Sequence, residues 1–342
     1  MTHQTALVTG GTGFIGSHTV VELLEQNYDI VIIDNLSNSS EKVIDHILQI
    51  TKVDRSRITF YNYDLLDISL IDEVLDKHNI DFVIHFAALK AVCESVAHPV
   101  AYYRNNLNGL MNLLDSMERH KIFKIIFSSS STVYGNPLQI PVNEDTPLQK
   151  PTNPYGHTKA MTEQILTDFS KVHPDASVVL LRYFNPIGAH KSGLIGENPR
   201  GIPINLVPII TKYLVGKISS LKVYGGDYNT RDGTCIRDYL HVVDVAKGHV
   251  AALRILNNKT GTNAYNLSRG EGFTVLEVIH AMEKASGRKI EYQVVEKRPG
   301  DVPAIYAECK KAEKEFGWKA EMGLDEMCED AWNWQQKFPD GI

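Results

Sequence analysis

Short apolar runs alternate with longer amphipathic stretches through the first half of the chain. The runs cover residues 6–8, 30–33, 58–61, 82–86, 125–127 and 178–181, and are typical of buried β-strands. The stretches between them, at 15–24, 68–77, 106–118 and 158–170, repeat apolar residues at helical spacing. This recurring strand, helix, strand order predicts an α/β fold with a Rossmann-like, doubly wound parallel sheet.

The regular alternation ends after Tyr183. Residues 185–203 are rich in Pro and Gly, and they are followed by helical patterns, short strands and a helical tail at 325–337. We therefore predict a Rossmann-like domain at residues 1–183 and a smaller mixed α/β lobe at 184–342, with some segments of the lobe returning to pack on the first domain. A loop over residues 134–154 contains five prolines, and such long loops often carry function.

The composition excludes several classes of protein. With 342 residues, 43% of them hydrophobic and 22% charged, the chain has enough apolar side chains for a full core and no bias towards disorder. A net charge of -6 disfavours nucleic acid as a partner. The four cysteines lack CxxC spacing, which predicts neither a zinc site nor a disulfide framework. Without a leader segment or an apolar stretch near the ~18 residues of a membrane span, we expect a cytoplasmic protein with no membrane partner.

A glycine-rich turn follows the first predicted strand. The sequence Thr9-Gly10-Gly11-Thr12-Gly13-Phe14-Ile15-Gly16 runs directly into the first predicted helix. A bound pyrophosphate needs such an arrangement, because it requires a tight turn, close backbone approach and free N–H groups at a helix N-terminus. Three glycines alone could equally form a plain turn, but their position at the first strand-to-helix junction favours dinucleotide binding.

Acidic and small residues at other strand ends extend this prediction. Asp34 closes the second strand, where a carboxylate can bind a ribose hydroxyl and would repel a 2′-phosphate, so NAD is favoured over NADP. Asp64 suits the adenine edge, and the small residues in Phe86-Ala87-Ala88-Leu89-Lys90 would let the backbone approach the cofactor. Ordinary packing at strand ends is the alternative interpretation of these last two features.

Tyr155 and Lys159 form the candidate catalytic pair. Oxidation of an alcohol requires a base with a pKa near 7, whereas a free tyrosine has a pKa of about 10. A lysine cation one helical turn away, together with a positive nicotinamide, could lower that pKa by roughly two to three units. Two other tyrosine and lysine pairs, at 213 and 217 and at 306 and 310, share the i, i+4 spacing. Only Tyr155 lies in the half with the glycine turn, so we interpret the other two as surface pairs.

Hydroxyl side chains follow the fifth predicted strand. The run Ser128-Ser129-Ser130-Ser131-Thr132 would place a hydroxyl at the carboxyl edge of the sheet, where ligands bind in such folds. We predict that Ser130 hydrogen-bonds the reacting hydroxyl; capping of backbone groups is the alternative. The thirteen histidines show no HExxH spacing, so His241, Asp244 and His249 are interpreted as structural and no metal site is predicted.

With these motifs in place, the chain closely resembles the extended short-chain dehydrogenase/reductase family, and within it the UDP-glucose 4-epimerases. The resemblance covers nearly the whole length and rests on Asp34-Asn35-Leu36, His85-Phe86-Ala87-Ala88-Leu89-Lys90-Ala91-Val92, Phe127-Ser128-Ser129-Ser130-Ser131-Thr132-Val133-Tyr134-Gly135, Arg182-Tyr183-Phe184-Asn185-Pro186 and Arg237-Asp238-Tyr239-Leu240-His241-Val242. It implies tightly bound NAD, a UDP-sugar substrate, a homodimer, and reversible 4-epimerisation of UDP-glucose and UDP-galactose.

The same resemblance implies ligand-binding residues in both halves of the chain. For NAD they are Gly10, Gly13, Phe14, Ile15, Gly16, Asp34, Asn35, Asn38, Ser39, Asp64, Leu65, Phe86, Ala87, Ala88, Lys90, Asn105, Ser128, Tyr155, Lys159 and Tyr183. For the UDP-sugar they are Lys90, Ser130, Thr132, Tyr155, Phe184, Asn185, Asn205, Leu206, Tyr224, Arg237, Arg298, Asp301 and Ile305. Arg237 and Arg298 also suit a pyrophosphate chemically, because their forked donors match its charged oxygens, although either could be an ordinary surface arginine.

The mechanism implied by the resemblance is a transient oxidation. Tyr155, as phenolate, would remove the proton of the sugar 4-hydroxyl while C4 gives hydride to NAD+, with Ser130 relaying or steadying that proton. The 4-keto sugar would then turn over and be reduced on its other face. Such a site must hold the UDP firmly and the sugar loosely.

Two alternatives remain open at this point. A nucleotide-sugar 4,6-dehydratase also forms a 4-keto sugar but typically carries an Asp-Glu pair beside the central Thr, where this chain has Ser130-Ser131-Thr132-Val133. A non-catalytic NAD-sensing protein would need no tyrosine and lysine pair. Ile305 stands where some epimerases of this kind place a bulky tyrosine, which predicts a roomier pocket that also admits N-acetylated UDP-sugars.

Overall fold

A seven-stranded sheet forms the centre of the computed structural model, which describes residues 3–201, 203–298 and 301–342. The strands are β1 (Thr5–Thr9), β2 (Asp29–Ile33), β3 (Ile58–Tyr61), β4 (Phe82–His85), β5 (Lys124–Ser128), β6 (Ser177–Tyr183), β7 (Asn185–Ile187), β8 (Leu221–Tyr224), β9 (Ile236–Arg237), β10 (Tyr239–His241), β11 (Gly261–Leu267), β12 (Phe273–Thr274), β13 (Tyr292–Val295) and β14 (Ala304–Ile305). The helices are α1 (Phe14–Glu25), α2 (Lys42–Thr51), α3 (Ile68–Lys77), α4 (Val92–Ala97), α5 (Pro99–Tyr103), α6 (Gly109–Arg119), α7 (Pro154–Val172), α8 (Leu206–Leu214), α9 (Val242–Ala251), α10 (Leu253–Asn258), α11 (Val275–Ser286), α12 (Lys310–Phe316) and α13 (Leu324–Lys337).

The central sheet has the strand order β11-β6-β5-β4-β1-β2-β3, and every neighbouring pair is parallel. The predicted Rossmann-like, doubly wound α/β fold is therefore confirmed. The order of the strands reverses at β1, which lies between β2 and β4. In open sheets of this kind, the crevice at the carboxyl ends of the strands on either side of the reversal is where ligands bind.

Both faces of the sheet are covered, because successive residues of each strand point into different layers. From β1, Ala6 and Val8 pack among α1, α2, α9, α10 and α12, whereas Leu7 packs among α3, α6 and α7. All three of these side chains are fully buried. The continuous apolar runs in the sequence reflect this burial on two faces.

The second lobe is built around α8, α11 and α13. Side chains of these helices, including Ile210, Met282 and Trp332, form a separate core with β8 and β10. Small sheets complete the lobe: β10 pairs with β7, β13 with β8, and β9 with both β12 and β14. None of the helices in the described ranges is long and apolar enough to cross a membrane.

The chain after Tyr183 is not confined to the second lobe. The strand β11 pairs with β6 along its full length, from Gly261 opposite Ser177 to Leu267 opposite Tyr183. The helices α9, α10 and α12 also pack on the central sheet. The division at residue 183 stays a prediction. The structure adds that β11, α9, α10 and α12, which lie beyond this residue in the sequence, belong to the central sheet and the helices that cover it.

Candidate active site

A cavity of about 870 Å³ lies at the carboxyl edge of the central sheet and extends to the second lobe. All the residues that the sequence predicted for NAD and for the UDP-sugar line this cavity, from Gly10 to Ile305. The structure thus brings together residues that are up to almost three hundred positions apart, such as Asp34, Tyr155 and Arg298. Their individual roles stay predictions, which the geometry below supports to different degrees.

The glycine turn leaves no room for side chains. Gly10 has a φ of +72°, and a Cβ built there would lie 2.7 Å from the backbone nitrogen of Ala87. A Cβ on Gly16 would lie 2.2 Å from the carbonyl oxygen of Gly10. Gly13 is the N-cap of α1, and among the described residues no side chain caps that helix. The first N–H groups of α1 therefore face a cradle that fits a pyrophosphate.

Two carboxylates are held at the ends of β2 and β3. Asp34 accepts hydrogen bonds from the backbone nitrogens of Thr12, at 3.2 Å, and Leu36, at 2.9 Å. Asp64 accepts one from the Asn35 side chain at 3.0 Å and lies beside Asp34 in the cavity wall. A carboxylate fixed like that of Asp34 suits a ribose hydroxyl and repels an additional phosphate, so this residue fits NAD.

Tyr155 and Lys159 lie in the first turns of α7, which begins earlier than predicted. Pro154 occupies a first-turn position, and Asn153 caps the helix by accepting a hydrogen bond from the Gly156 nitrogen at 2.9 Å. Lys159 Nζ donates to the carbonyl oxygen of Ser128 at 2.7 Å and lies 5.9 Å from the centre of the Tyr155 ring. The helix start thus places both side chains against the end of β5.

The protein alone does not make the Tyr155 phenol more acidic. Burial raises the pKa of Tyr155, and only a hydrogen bond with Ser130 opposes this rise. Burial also lowers the pKa of Lys159 to about 7, while the nearby Glu163 carboxylate opposes that fall. Desolvation is thus the largest effect of the chain on both groups, and the combined effect of the lysine and a bound nicotinamide on the pKa of the tyrosine stays a prediction.

Hydroxyl groups converge on the catalytic pair from β5 and β6. Ser130 faces Tyr155 and accepts a hydrogen bond from the Thr132 hydroxyl at 3.0 Å. The hydroxyls of Ser128 and Tyr183 hydrogen-bond each other, and burial raises the pKa of Tyr183. We call Ser128, Ser130, Tyr155, Lys159 and Tyr183 the catalytic wall.

The two other tyrosine and lysine pairs lie away from the cavity lining. Lys217 forms an ion pair with Asp340 at 2.6 Å, and Lys310 forms one with Glu308 at 2.5 Å. His241 faces Asp330 at 3.2 Å, and Asp244 accepts hydrogen bonds from two backbone nitrogens. These groups therefore have structural partners of their own.

Two arginines of the second lobe share one carboxylate. Asp301 lies 3.3 Å from Arg237 Nη2 and 2.8 Å from Arg298 Nε. Arg237 also donates to the carbonyl oxygens of Ile236 and Val302, and Arg298 stacks 5.0 Å above the Tyr224 ring. Such pre-oriented forked donors are suited to a diphosphate.

The prediction missed Glu197, which is mostly buried in the cavity wall. Its carboxylate accepts hydrogen bonds from Lys90 Nζ at 3.2 Å and from the Asn205 side chain at 2.8 Å. Glu197 thereby links a residue predicted for NAD to one predicted for the substrate. Its only signal in the sequence is its place in the Pro- and Gly-rich segment, which carries no spacing motif.

Comparisons with known proteins agree over the whole length of the chain. A family model described as GDP-mannose 4,6 dehydratase matches residues 7–331. The UDP-glucose 4-epimerase of Bacillus subtilis (strain 168) is 53% identical over 335 residues, which cover 98% of this chain and 98% of that protein. The UDP-glucose 4-epimerase of Mus musculus is 48% identical over 342 residues and 99% of each chain. The crystal structure of UDP-glucose 4-epimerase from Bifidobacterium longum in complex with NAD+ and UDP has a TM-score of 0.95 at 52% identity, over 99% of this chain and 100% of that one.

Proposed function

Because the chain belongs to the family described as GDP-mannose 4,6 dehydratase and, within it, to the UDP-glucose 4-epimerases, we propose that its catalytic wall performs the epimerisation with Tyr155 as the base. The protein is an NAD-dependent enzyme that interconverts UDP-glucose and UDP-galactose through a 4-keto intermediate. The observation that supports the assignment of residues is that Tyr155, Lys159 and Ser130 line one cavity together with the glycine turn and the two arginines.

Tyr155 takes the proton of the sugar 4-hydroxyl and later returns it. NAD, which the glycine turn and Asp34 would hold, would supply the hydride acceptor and donor for C4 and a positive ring that favours the Tyr155 phenolate. Ser130 hydrogen-bonds the same oxygen, which steadies the proton during transfer. Lys159, held by the Ser128 carbonyl, keeps a cation beside the phenolate.

The second lobe holds the UDP and leaves the sugar free to turn. Arg237 and Arg298 supply the positive charge for the diphosphate, and Asp301 keeps their guanidinium groups in place. Near the sugar, by contrast, the wall of the second lobe includes the apolar Ile305. Strong charged contacts hold the diphosphate, whereas contacts with the sugar are weak. The sugar can therefore rotate and present each face of C4 in turn to the cofactor.

An assay without added cofactor tests this proposal. Purified protein incubated with UDP-glucose alone should form UDP-galactose, because resident NAD is regenerated in each cycle. The Tyr155→Phe protein should fold, retain NAD and lose roughly 10²- to 10⁴-fold in turnover, the usual contribution of a general base. Retained activity in this variant would show that another group is the base.

The catalytic wall also bears on 4,6-dehydration, the reaction named in the family model. Elimination of water from a 4-keto sugar calls for an acid beside the sugar, and dehydratases typically carry an Asp-Glu pair beside the central Thr, whereas Thr132, next to this wall, is flanked by Ser131 and Val133. This wall favours the epimerase reaction. Formation of a 4-keto-6-deoxy sugar by the purified protein would contradict that conclusion.

We further propose that UDP-N-acetylhexosamines are accepted. Ile305 lies in β14 opposite Arg237 and lines the cavity, so a branched aliphatic side chain stands where an aromatic ring would narrow the sugar site. The wild type should epimerise UDP-N-acetylglucosamine, and Ile305→Tyr should reduce this activity at least tenfold more than the activity on UDP-glucose. No turnover of the acetylated sugar by the wild type would refute the proposal.

A homodimer is supported by apolar side chains exposed on α4 to α7. Val96 and Val100 are 62% and 64% exposed, and Met111 and Met161 are also exposed. Apolar surface of this kind commonly marks a protein contact. Light scattering should give twice the mass of the chain, and Val100→Glu should produce monomers. A wild-type monomer would contradict the assignment.

The free thiols, such as Cys93, also suit a cytoplasmic setting.

A further inference from the structure

A buried ion pair lies directly behind the catalytic wall. Glu163 on α7 and Arg182 on β6 form two hydrogen bonds, from Nε to Oε1 at 2.9 Å and from Nη2 to Oε2 at 2.6 Å. Both residues are 5% exposed. Burial of two charges is costly, and replacing such a pair with apolar side chains is often neutral or stabilising, so stability alone is a weak explanation for it.

A third contact connects this ion pair to the catalytic serines. The Ser129 hydroxyl donates to Glu163 Oε1 at 2.6 Å, and the Ser129 nitrogen donates to the Leu181 carbonyl oxygen at 2.8 Å. Ser129 stands between Ser128, whose carbonyl oxygen holds Lys159, and Ser130, which faces Tyr155. A side chain that fixes Ser129 therefore also fixes its two neighbours.

Glu163 joins the three elements on which the wall is built. It lies one helical turn after Lys159 on α7, bonds Ser129 just after β5, and bonds Arg182 on β6. Arg182 continues the network by donating to the Tyr134 hydroxyl at 3.2 Å. The relative position of the base, the lysine and the serines is thus tied to one carboxylate.

We propose that Glu163 is a positioning residue for the epimerase reaction: its carboxylate locks Ser129 and thereby sets the carbonyl group that holds Lys159 and the hydroxyl that faces Tyr155. The inference rests on the proposed role of Tyr155 and Lys159. It adds a residue that neither lines the cavity nor reaches the reacting atoms, and that acts through its neighbours.

The charge of Glu163 gives this role a measurable signature. Besides Glu163, the ionisable groups around Lys159 include Tyr155 on the same helix, His85 on β4 and, across Ser128, Tyr183 on β6, while Arg182 and Tyr134 are on the far side of Glu163. Glu163 raises the pKa of Lys159 against the effect of burial. When glutamine replaces Glu163, the attraction between its carboxylate and Lys159 is lost. The Arg182 cation also loses its counter-charge. Both changes favour the uncharged form of the Lys159 amine.

The test compares Glu163→Gln and Ser129→Ala with Glu283→Gln, a partly buried glutamate on α11 in the second lobe that accepts a hydrogen bond from the Ile290 nitrogen. In Glu163→Gln, we expect the alkaline limb of the kcat profile for UDP-glucose to move about one unit to lower pH. In Ser129→Ala, kcat should fall about tenfold while the limb stays in place. The Glu283→Gln profile should match the wild type.

A second measurement does not depend on turnover. The reactivity of Lys159 with an acylating reagent, followed by peptide mass spectrometry across pH, should show its midpoint at lower pH in Glu163→Gln than in the wild type. If the limb and the labelling midpoint both stay at their wild-type values, Glu163 has no such role. An inactive wild type would instead refute the proposed function.

The variant Glu163→Gln leaves a buried arginine without its partner and could fail to fold. In that case Glu163→Met with Arg182→Met removes both charges and should fold. Because Ser129 then lacks its acceptor, kcat should still fall at least tenfold with NAD content unchanged. Wild-type kcat in the folded double variant would overturn the proposal.

Discussion

Replacement of Gly16 by alanine gives a sharp test of the cofactor cradle. Gly16 is a buried residue of α1, and a methyl group there would lie 2.2 Å from the Gly10 carbonyl oxygen and 2.9 Å from the Gly11 Cα. Ordinary contact begins near 3.4 Å, so the turn and the helix must separate by roughly 1 Å. Both close atoms belong to the backbone, which cannot rotate away as a side chain could.

The sign of the effect on stability distinguishes a tight cradle from an open one. In open space, alanine in place of a helical glycine stabilises by up to ~1 kcal/mol. Overpacking against fixed backbone costs about 1–3 kcal/mol instead. If the same displacement distorts the pyrophosphate site, NAD affinity should fall by about 5- to 150-fold, because each 1.4 kcal/mol corresponds to a factor of ten.

The assay measures NAD released by acid from the purified protein and the urea midpoint of unfolding. Gly323→Ala is the control, because Gly323 has a φ of -84° and a Cβ there meets nothing within 4 Å. The control should retain NAD, with a loss of stability of at most about 1 kcal/mol from its N-cap position. Full NAD content in Gly16→Ala together with an unchanged or higher midpoint would refute the steric argument.

Three further predictions concern charged groups. Arg237→Lys keeps the positive charge but loses the forked N–H donors of the guanidinium group, which the contact with Asp301 orients. KM for UDP-glucose should therefore rise about tenfold with little change in kcat. An unchanged KM would contradict the role of Arg237. Asp34→Asn removes the repulsion of a 2′-phosphate, so the ratio of NADP to NAD affinity, measured by titration of stripped protein, should rise at least tenfold. Burial lowers the pKa of His249 from 6.5 to about 4, so its contribution to stability is complete above pH 6.5 and is lost as the pH falls. Between pH 7.5 and 5.5 the wild type should therefore lose about 1.4 kcal/mol more stability than His249→Met in urea unfolding, and equal losses would contradict this.

Much of the first domain could be predicted from local sequence. The apolar runs around Ala6, Ile30 and Val178 are buried on both faces, so their strands could be recognised without knowledge of their partners. The glycine turn was equally clear, because the free N–H groups and the close approach arise within a few residues. Tyr155 could be separated from two identical spacings only by its position after that turn.

Other features depend on contacts between distant segments. The strand Gly261–Leu267 joins the central sheet because β6 offers it an edge, which no pattern near residue 261 reveals. The effect of burial on the pKa values of Tyr155 and Lys159 also depends on distant segments, since the i, i+4 spacing describes the pair but not what is packed around it. Desolvation is a property of everything packed around a group.

The fold class, the glycine turn and the candidate pair Tyr155 and Lys159 could be recognised from the chain without its structure, because each rests on hydrophobic periodicity or on groups within one or two helical turns. Only the folded chain shows that Asp301 contacts two arginines, that Glu197 joins Lys90 to Asn205, and that Glu163 holds Ser129. Each of these contacts joins segments that are adjacent only after the chain has folded, so its energy depends on a geometry that no local pattern encodes.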